Sequence, residues 1–252
     1  MDDLLILLLL FAVGLVAGFV DAVAGGGGML TLPALLYAGL PPQMAIATNK
    51  LQSTFGSGSA MLHFVRSGRV RLRECAFGVA CTAIGAGAGA VAVQLVDPGF
   101  LRRIIPFLLI SIVLYFILFP RLGFEERHPR LGRTPFHLLF GLSIGFYDGF
   151  FGPGTGTFWA TAYVLLLGYN LTNATAHTKV MNFTSNIVSL LFFIAGGAVR
   201  YPQGLVMGAG QYLGARLGAR MVVARGAHFI RPVFLTMVVA ISAKLLWDAF
   251  TL

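Results

Sequence analysis

Four charged residues sit in stretches too apolar to be loops: Asp21, Lys50, Asp148 and Lys179. A charge at the centre of a membrane helix costs roughly 2.5–3.5 kcal/mol, so such groups pair with one another or line a polar cavity. Asp21 and Asp148 fall at equivalent places in a repeated pattern, and so do Lys50 and Lys179. The simplest chemistry is structural, with Asp21 paired to Lys50 and Asp148 to Lys179. A second is proton coupling through the two carboxylates. A third sets the lysines against a negatively charged substrate. A fourth is catalytic: Asp21 and Asp148 as the dyad of an intramembrane aspartyl protease, two like charges sharing one proton.

The neighbouring residues favour an anion. Gly25-Gly26-Gly27-Gly28 and Gly152-Pro153-Gly154-Thr155 open two short apolar segments, and a helix does not run smoothly through such sequence. A helix restarting after either run presents free backbone N–H groups and the positive end of its dipole. Successive glycine N–H groups also form anion-holding concavities. Asn49, Lys50 and Gln52 in one long segment, and His177, Thr178, Lys179 and Asn182 in another, add positive charge and neutral polar groups. Facing lipid, these groups would stay unsatisfied, so they are expected to meet near the bilayer midplane. Together they suit a small oxyanion such as sulfonate, sulfite, sulfate or carboxylate. Because Gly26-Gly27-Gly28 differs from Pro153-Gly154-Thr155, one asymmetric site is expected rather than two equal ones.

The elements that must hold these residues follow from composition and repetition. Of 252 residues, 57% are hydrophobic and only 11% charged, with mean hydropathy +0.84. Soluble domains carry about 25% charged residues, so a soluble enzyme, a disordered regulator and a solvated nucleic-acid binder are excluded. Gly14-x-x-x-Gly18-Phe19-x-Asp21-x-x-x-Gly25-x-Gly27 recurs as Gly141-x-x-x-Gly145-Phe146-x-Asp148-x-x-x-Gly152-x-Gly154 at an offset of 127. After a two-residue slip, Ala45-x-Ala47 matches Ala174-x-Ala176, and Lys50 matches Lys179. The chain therefore reads as a first transmembrane repeat (1–122), a linker (123–134) and a second repeat (135–252) within one membrane domain. Apolar segments are expected at about 4–22, 27–40, 43–65, 75–96 and 103–120, then at about 136–150, 154–168, 173–196, 203–223 and 229–250. A spanning helix needs ~20 residues, so 27–40 and 154–168 are expected to be half-membrane pieces of broken helices.

Charge decides the orientation. Removing Lys50, Lys179 and Lys244 from 18 basic residues leaves 15 arginines. With five passes per half and the second half inverted, 12 of the 15 fall on one side, among them Arg66, Arg69, Arg71, Arg73 and Arg133. With four passes per half the split becomes 9 to 6. The positive-inside rule selects the inverted arrangement, with both termini outside the cytoplasm. The formal charge of +9 is then a set of cytoplasmic arginine loops facing lipid headgroups, not a nucleic-acid footprint. The acidic start Met1-Asp2-Asp3 lacks the positive n-region of a secretory signal, so the first segment is expected to stay as a helix.

Several features carry no chemistry. Cys75 and Cys81 have no ligand or disulfide spacing, and no metal or cofactor is expected. Gly210-x-x-x-Gly214-x-x-x-Gly218 and Gly85-x-Gly87-x-Gly89 read as close-packing faces. Lys244 and Asp248 suggest a local pair, Tyr115, Trp159 and Trp247 suggest interfacial anchors, and His63 and His137 suggest snorkelling tips at segment ends. No Gly-x-x-x-x-Gly-Lys-Ser/Thr loop is present, which argues against direct ATP drive.

At Gly18-Phe19-x-Asp21-x-x-Ala24-Gly25-Gly26-Gly27-Gly28 and Ala47-Thr48-Asn49-Lys50-x-Gln52, the sequence resembles the TauE/SafE family, also called the 4-toluene sulfonate uptake permease family. Gly145-Phe146-Tyr147-Asp148-Gly149-Phe150-Phe151-Gly152-Pro153-Gly154 resembles its YfcA-like branch in particular. The resemblance covers essentially the whole chain. It implies a multi-pass transporter of the bacterial inner membrane moving sulfur-containing anions, with lipid and the substrate as partners, as a monomer or homodimer. The expectation is an all-helical secondary transporter working by alternating access. The aspartyl protease and an anion channel are its rivals.

Overall fold

A computed structural model describes residues 3–101 and 128–226, with positions 103–105, 107–108, 111, 229 and 232. Most of the expected segments 103–120 and 229–250 lie outside these described residues, as do Arg102, Arg121, Arg127, Arg231, Tyr115, Lys244, Trp247 and Asp248.

The described regular structure is helical: α1 (Asp3–Ala24), α2 (Gly28–Tyr37), α3 (Pro42–Arg66), α4 (Leu72–Gln94), α5, α6 (Thr155–Leu166), α7 (Leu171–Ala195) and α8 (Tyr201–Arg225). Helix α5 is a composite: an α-turn at Arg133–Phe136, a π-helical stretch at His137–Gly141, then Leu142–Phe150. Local chemistry sets the ends. Pro42 opens α3, where its missing N–H costs nothing. Asn170 caps α7 by accepting from the Asn173 N–H at 2.9 Å, as an N-cap side chain should. The N–H groups of Arg130 and Leu131 both donate to the Leu166 carbonyl, at 2.8 and 3.1 Å, tying the linker to the end of α6.

Leu4–Ala24, Leu72–Gln94 and Leu171–Ala195 are long and apolar enough to cross a membrane, the first with a mean hydropathy of 2.7. Their outward faces are apolar and exposed, as at Leu4, Leu8, Phe77, Ile84, Leu191 and Phe192. Polar residues collect inside instead, including Thr48, Asn49, Lys50, Thr178, Lys179, Ser185 and Asn186. Apolar outside and polar inside is the arrangement of a membrane-embedded protein.

Helices pair across the chain more than along it. α1 packs along α8, α4 along α5, and α3 against α7. Small residues make the first two contacts close. A Cβ on Gly14 or Gly18 would strike the backbone of Met207 or Gln211, and one on Gly210 or Gly214 the backbone of Phe11 or Leu15. The α4–α5 seam repeats this chemistry: Gly85 and Gly89 lie on the backbone of Leu142 and Phe146, and Gly145 and Gly149 on that of Thr82 and Ala86. Gly87 points away, toward Phe192. The expected close-packing faces are therefore present, with Gly87 outside the α4–α5 seam.

Two aromatic expectations are overturned. Trp159 is no interfacial anchor: it is fully buried, stacked on Tyr163 with ring centroids 5.5 Å apart. His137 does not snorkel. It lies buried in the π-helical stretch, against Gly78, where only a residue without a Cβ leaves room for the ring.

Candidate functional site

The site forms where the two broken helices meet. α1 stops at Ala24 and α2 restarts at Gly28, while α5 stops at Phe150 and α6 restarts at Thr155. Gly25 (φ +80°) and Gly152 (φ +101°) take left-handed backbone that other residues rarely adopt. The two turns abut. A Cβ on Gly25 would lie 2.6 Å from the Thr157 nitrogen and 2.7 Å from Gly156 Cα, and one on Gly28 3.0 Å from Pro153 Cα. Thr157 Oγ1 donates to the Ala24 carbonyl at 2.7 Å, bonding one turn to the other.

Around this crossing the four charges form two ion pairs, and both join the halves. Lys50 Nζ of α3 lies 2.5 Å from Asp148 Oδ1 of α5, and Lys179 Nζ of α7 lies 2.9 Å from Asp21 Oδ2 of α1. The expected pairs within each half, Asp21 with Lys50 and Asp148 with Lys179, are not formed. α3 and α7 pack against each other, and each lysine reaches the aspartate of the other half.

The pairs differ in their surroundings. Asp148 is sealed, with its side chain 4% exposed, and it also accepts from Ser185 Oγ. Lys50 donates further to Asn186 Oδ1 at 3.4 Å. The adjoining turn is locked by Tyr147, whose hydroxyl donates to the Pro153 carbonyl at 2.6 Å, and by Thr155, whose hydroxyl donates to the Gly152 carbonyl at 2.6 Å. The Asp21 side chain is 16% exposed. Its Oδ1 accepts the Gly27 N–H at 3.3 Å. Asp21 thus holds the position at the start of α2 where the helix dipole favours a negative group.

The remaining expected residues separate into three groups. Asn49 and Gln52 join the core network: Asn49 Oδ1 accepts from Thr31 Oγ1 at 2.5 Å and from Gln52 Nε2 at 2.7 Å. Gln52 Oε1, Thr178 Oγ1 and Asn182 Oδ1 are buried without a hydrogen-bond partner, and Asn182 lies beside Gly156 at the turn crossing. Gly26 and Gly154 complete the two turns, with Gly154 as the left-handed N-cap of α6 (φ +82°). His177 stands apart: its Nδ1 lies 2.8 Å from the Asn173 carbonyl, and its ring packs on Tyr163 and Tyr169. Sequence reasoning missed Thr31, Tyr147 and Gly156. Thr31 had a signal, a single threonine among the apolar residues of the half-helix Gly28–Tyr37.

A catalytic dyad requires two carboxylates sharing a proton. Here each carboxylate has its own lysine, Asp21 on Lys179 and Asp148 on Lys50. A bundle with apolar faces outward, broken helices meeting inside, and paired charges at the break is the construction of a membrane transporter. The comparisons agree. The chain belongs to the sulfite exporter TauE/SafE family, whose profile matches residues 10–245. It is 50% identical over 245 residues to the probable membrane transporter protein YfcA of Escherichia coli, covering 97% of this chain and 91% of that one. A probable membrane transporter protein of Haemophilus influenzae is 48% identical over 243 residues, covering 96% and 95%. YdhB of Bacillus subtilis, also a probable membrane transporter protein, is 23% identical over 241 residues, covering 91% and 96%. No solved structure matches the chain.

Proposed function

We propose that this chain is a proton-coupled secondary transporter of a small sulfur-containing oxyanion, sulfite or a sulfonate, and that Asp21 is its coupling group. One observation carries the reading: the Asp21 carboxylate occupies an anion position, held by Lys179 at 2.9 Å and the Gly27 N–H at 3.3 Å. Protonating Asp21 neutralises it and weakens both contacts. Lys179 and the N-terminus of α2 then attract an incoming oxyanion in its place. One proton and one monovalent anion, a sulfonate or hydrogen sulfite, load together, and the centre keeps the net charge it had. The orphaned Gln52 Oε1, Thr178 hydroxyl and Asn182 amide are available to a bound solute or its water. The sealed Lys50–Asp148 pair acts as a strut rather than a second site.

The name of the family, sulfite exporter, supports sulfite as a substrate class. Two inverted repeats, 1–122 and 135–252, rocking against one another would supply alternating access. The interchange of α1–α8 with α5–α4 packing supports that symmetry. The arginine-rich loops support a cytoplasmic face for the ends of α3 and α8, with both termini periplasmic in a bacterial inner membrane.

The test is uptake of radiolabelled sulfite and of a sulfonate into proteoliposomes, with and without an imposed pH gradient. The gradient should accelerate uptake in the wild type. In Asp21→Asn it should not, while exchange of anion for anion persists. Absence of flux for every sulfur oxyanion overturns the substrate; equal gradient dependence in Asp21→Asn overturns the coupling role.

A further inference from the structure

His177 belongs to a polar cavity on the arginine-rich side, lined by none of Asp21, Lys50, Asp148 and Lys179. It is open and about 410 Å³ in volume, lined by Arg69, Glu74, Arg133, Tyr169, Asn173 and His177. Its walls come from the α3–α4 loop and the start of α4, the start of α5, and the α6–α7 turn with the start of α7. Both halves of the chain therefore build it. Glu74 is already engaged, with one carboxylate oxygen 3.6 Å from Arg71. Arg69 and Arg133 leave the lining with a surplus of positive charge.

One wall is aromatic. Tyr169 meets His177 edge-on at 4.9 Å and stacks on Tyr163 at 5.6 Å, and Tyr163 stacks on the buried Trp159. Burial pushes the Tyr169 phenol above its ordinary pKa, against the opposing pull of Arg133, so its hydroxyl remains a donor at neutral pH. A water molecule occupies about 30 Å³ of liquid, so a cavity of about 410 Å³ has room for a body much larger than a bare inorganic oxyanion beside the Arg133 guanidinium and the Tyr169 ring. A flat organic body fills it better.

We propose that this cavity is a second anion-binding site. It takes an organic carboxylate or sulfonate whose oxyanion meets Arg133 and Arg69 and whose body rests on Tyr169 and His177. The site goes beyond the transport reading and does not depend on it.

Equilibrium dialysis of the purified full chain in neutral detergent, with radiolabelled benzoate as the probe, tests the site. One saturable benzoate per chain is expected, with inorganic sulfate competing at least tenfold more weakly than unlabelled benzoate. Arg133→Gln and His177→Ala should each weaken binding tenfold or more. Arg69→Gln, an exposed loop change, should weaken it about threefold and guards against a folding defect in the other two. Lys179→Met, at the central pair, should leave benzoate affinity within twofold.

Three results overturn the proposal: no saturable binding by the wild type, loss in Lys179→Met with retention in Arg133→Gln, or sulfate competing as well as benzoate. A fourth is displacement of benzoate by stoichiometric phosphatidylglycerol, which would assign the cavity to a lipid headgroup.

Discussion

Replacing Lys50 by Met tests the crossed pairing directly. At 2.5 Å, two unit charges attract by about 7 kcal/mol at an effective dielectric of about 20, and desolvation of both groups offsets much of this. What an experiment reads is the cost of leaving one partner buried alone, about 3–5 kcal/mol for such pairs. Ser185 still donates to Asp148 in the variant, so the lower end, about 3 kcal/mol, is expected. Lys50→Met combined with Asp148→Leu removes both charges. It should recover about 2 kcal/mol of that loss, short of full recovery because Ser185 loses its bond to Asp148 and Asn186 its bond from Lys50. Lys50→Met combined with Asp21→Leu should recover nothing, because Asp21 answers to Lys179. Unfolding titrations in mixed micelles of the single and double variants close the cycle. Recovery through Asp21 rather than Asp148 would refute the crossed arrangement.

Further outcomes follow from the same geometry. Gly25→Ala forces a Cβ onto left-handed backbone and against Gly156, costing about 2–5 kcal/mol by the same titration. Gly39→Ala has a similar φ of +86° but open space around it, so about 1 kcal/mol is expected. Thr31→Val removes one of two donors to Asn49 Oδ1 and should cost about 1 kcal/mol. Gly68→Cys, in the turn after α3, should react with impermeant maleimide only from the cytoplasmic face of oriented vesicles. Labelling from the outer face would reverse the proposed orientation.

Much of this arrangement was legible in the sequence. The repeat placed Asp21 with Asp148 and Lys50 with Lys179, and the glycine runs marked the helix breaks at Gly25 and Gly152. Partner choice was not legible. Nearness along the chain favours Asp21 with Lys50, but pairing is decided by how the helices of the two halves pack, a tertiary fact with no local signal. His177 failed for a related reason. It lies two residues from Lys179, and a helix turns about 200° over that distance, so the polar run His177-Thr178-Lys179 faces two different surroundings. Trp159 misled because a tryptophan in an apolar segment reads as an anchor until its ring neighbours, the stacked Tyr163 and the tilted Phe136, are placed.

The crossed pairs also bear on how the molecule is made. Asp148 follows Lys50 by 98 residues, and Lys179 follows Asp21 by 158. At synthesis rates of about 5–20 residues per second, Lys50 waits roughly 5–20 s for its counterion and Asp21 roughly 8–30 s. During that interval the emerging amino-terminal half carries unneutralised charge that lipid will not accept. α1 must also wait for α8, the last helix described, to cover its glycine face. The first half is therefore an assembly intermediate dependent on shelter at the insertion machinery. A ribosome that stalls in the linker leaves Lys50 and Asp21 without the counterions that only the second half supplies.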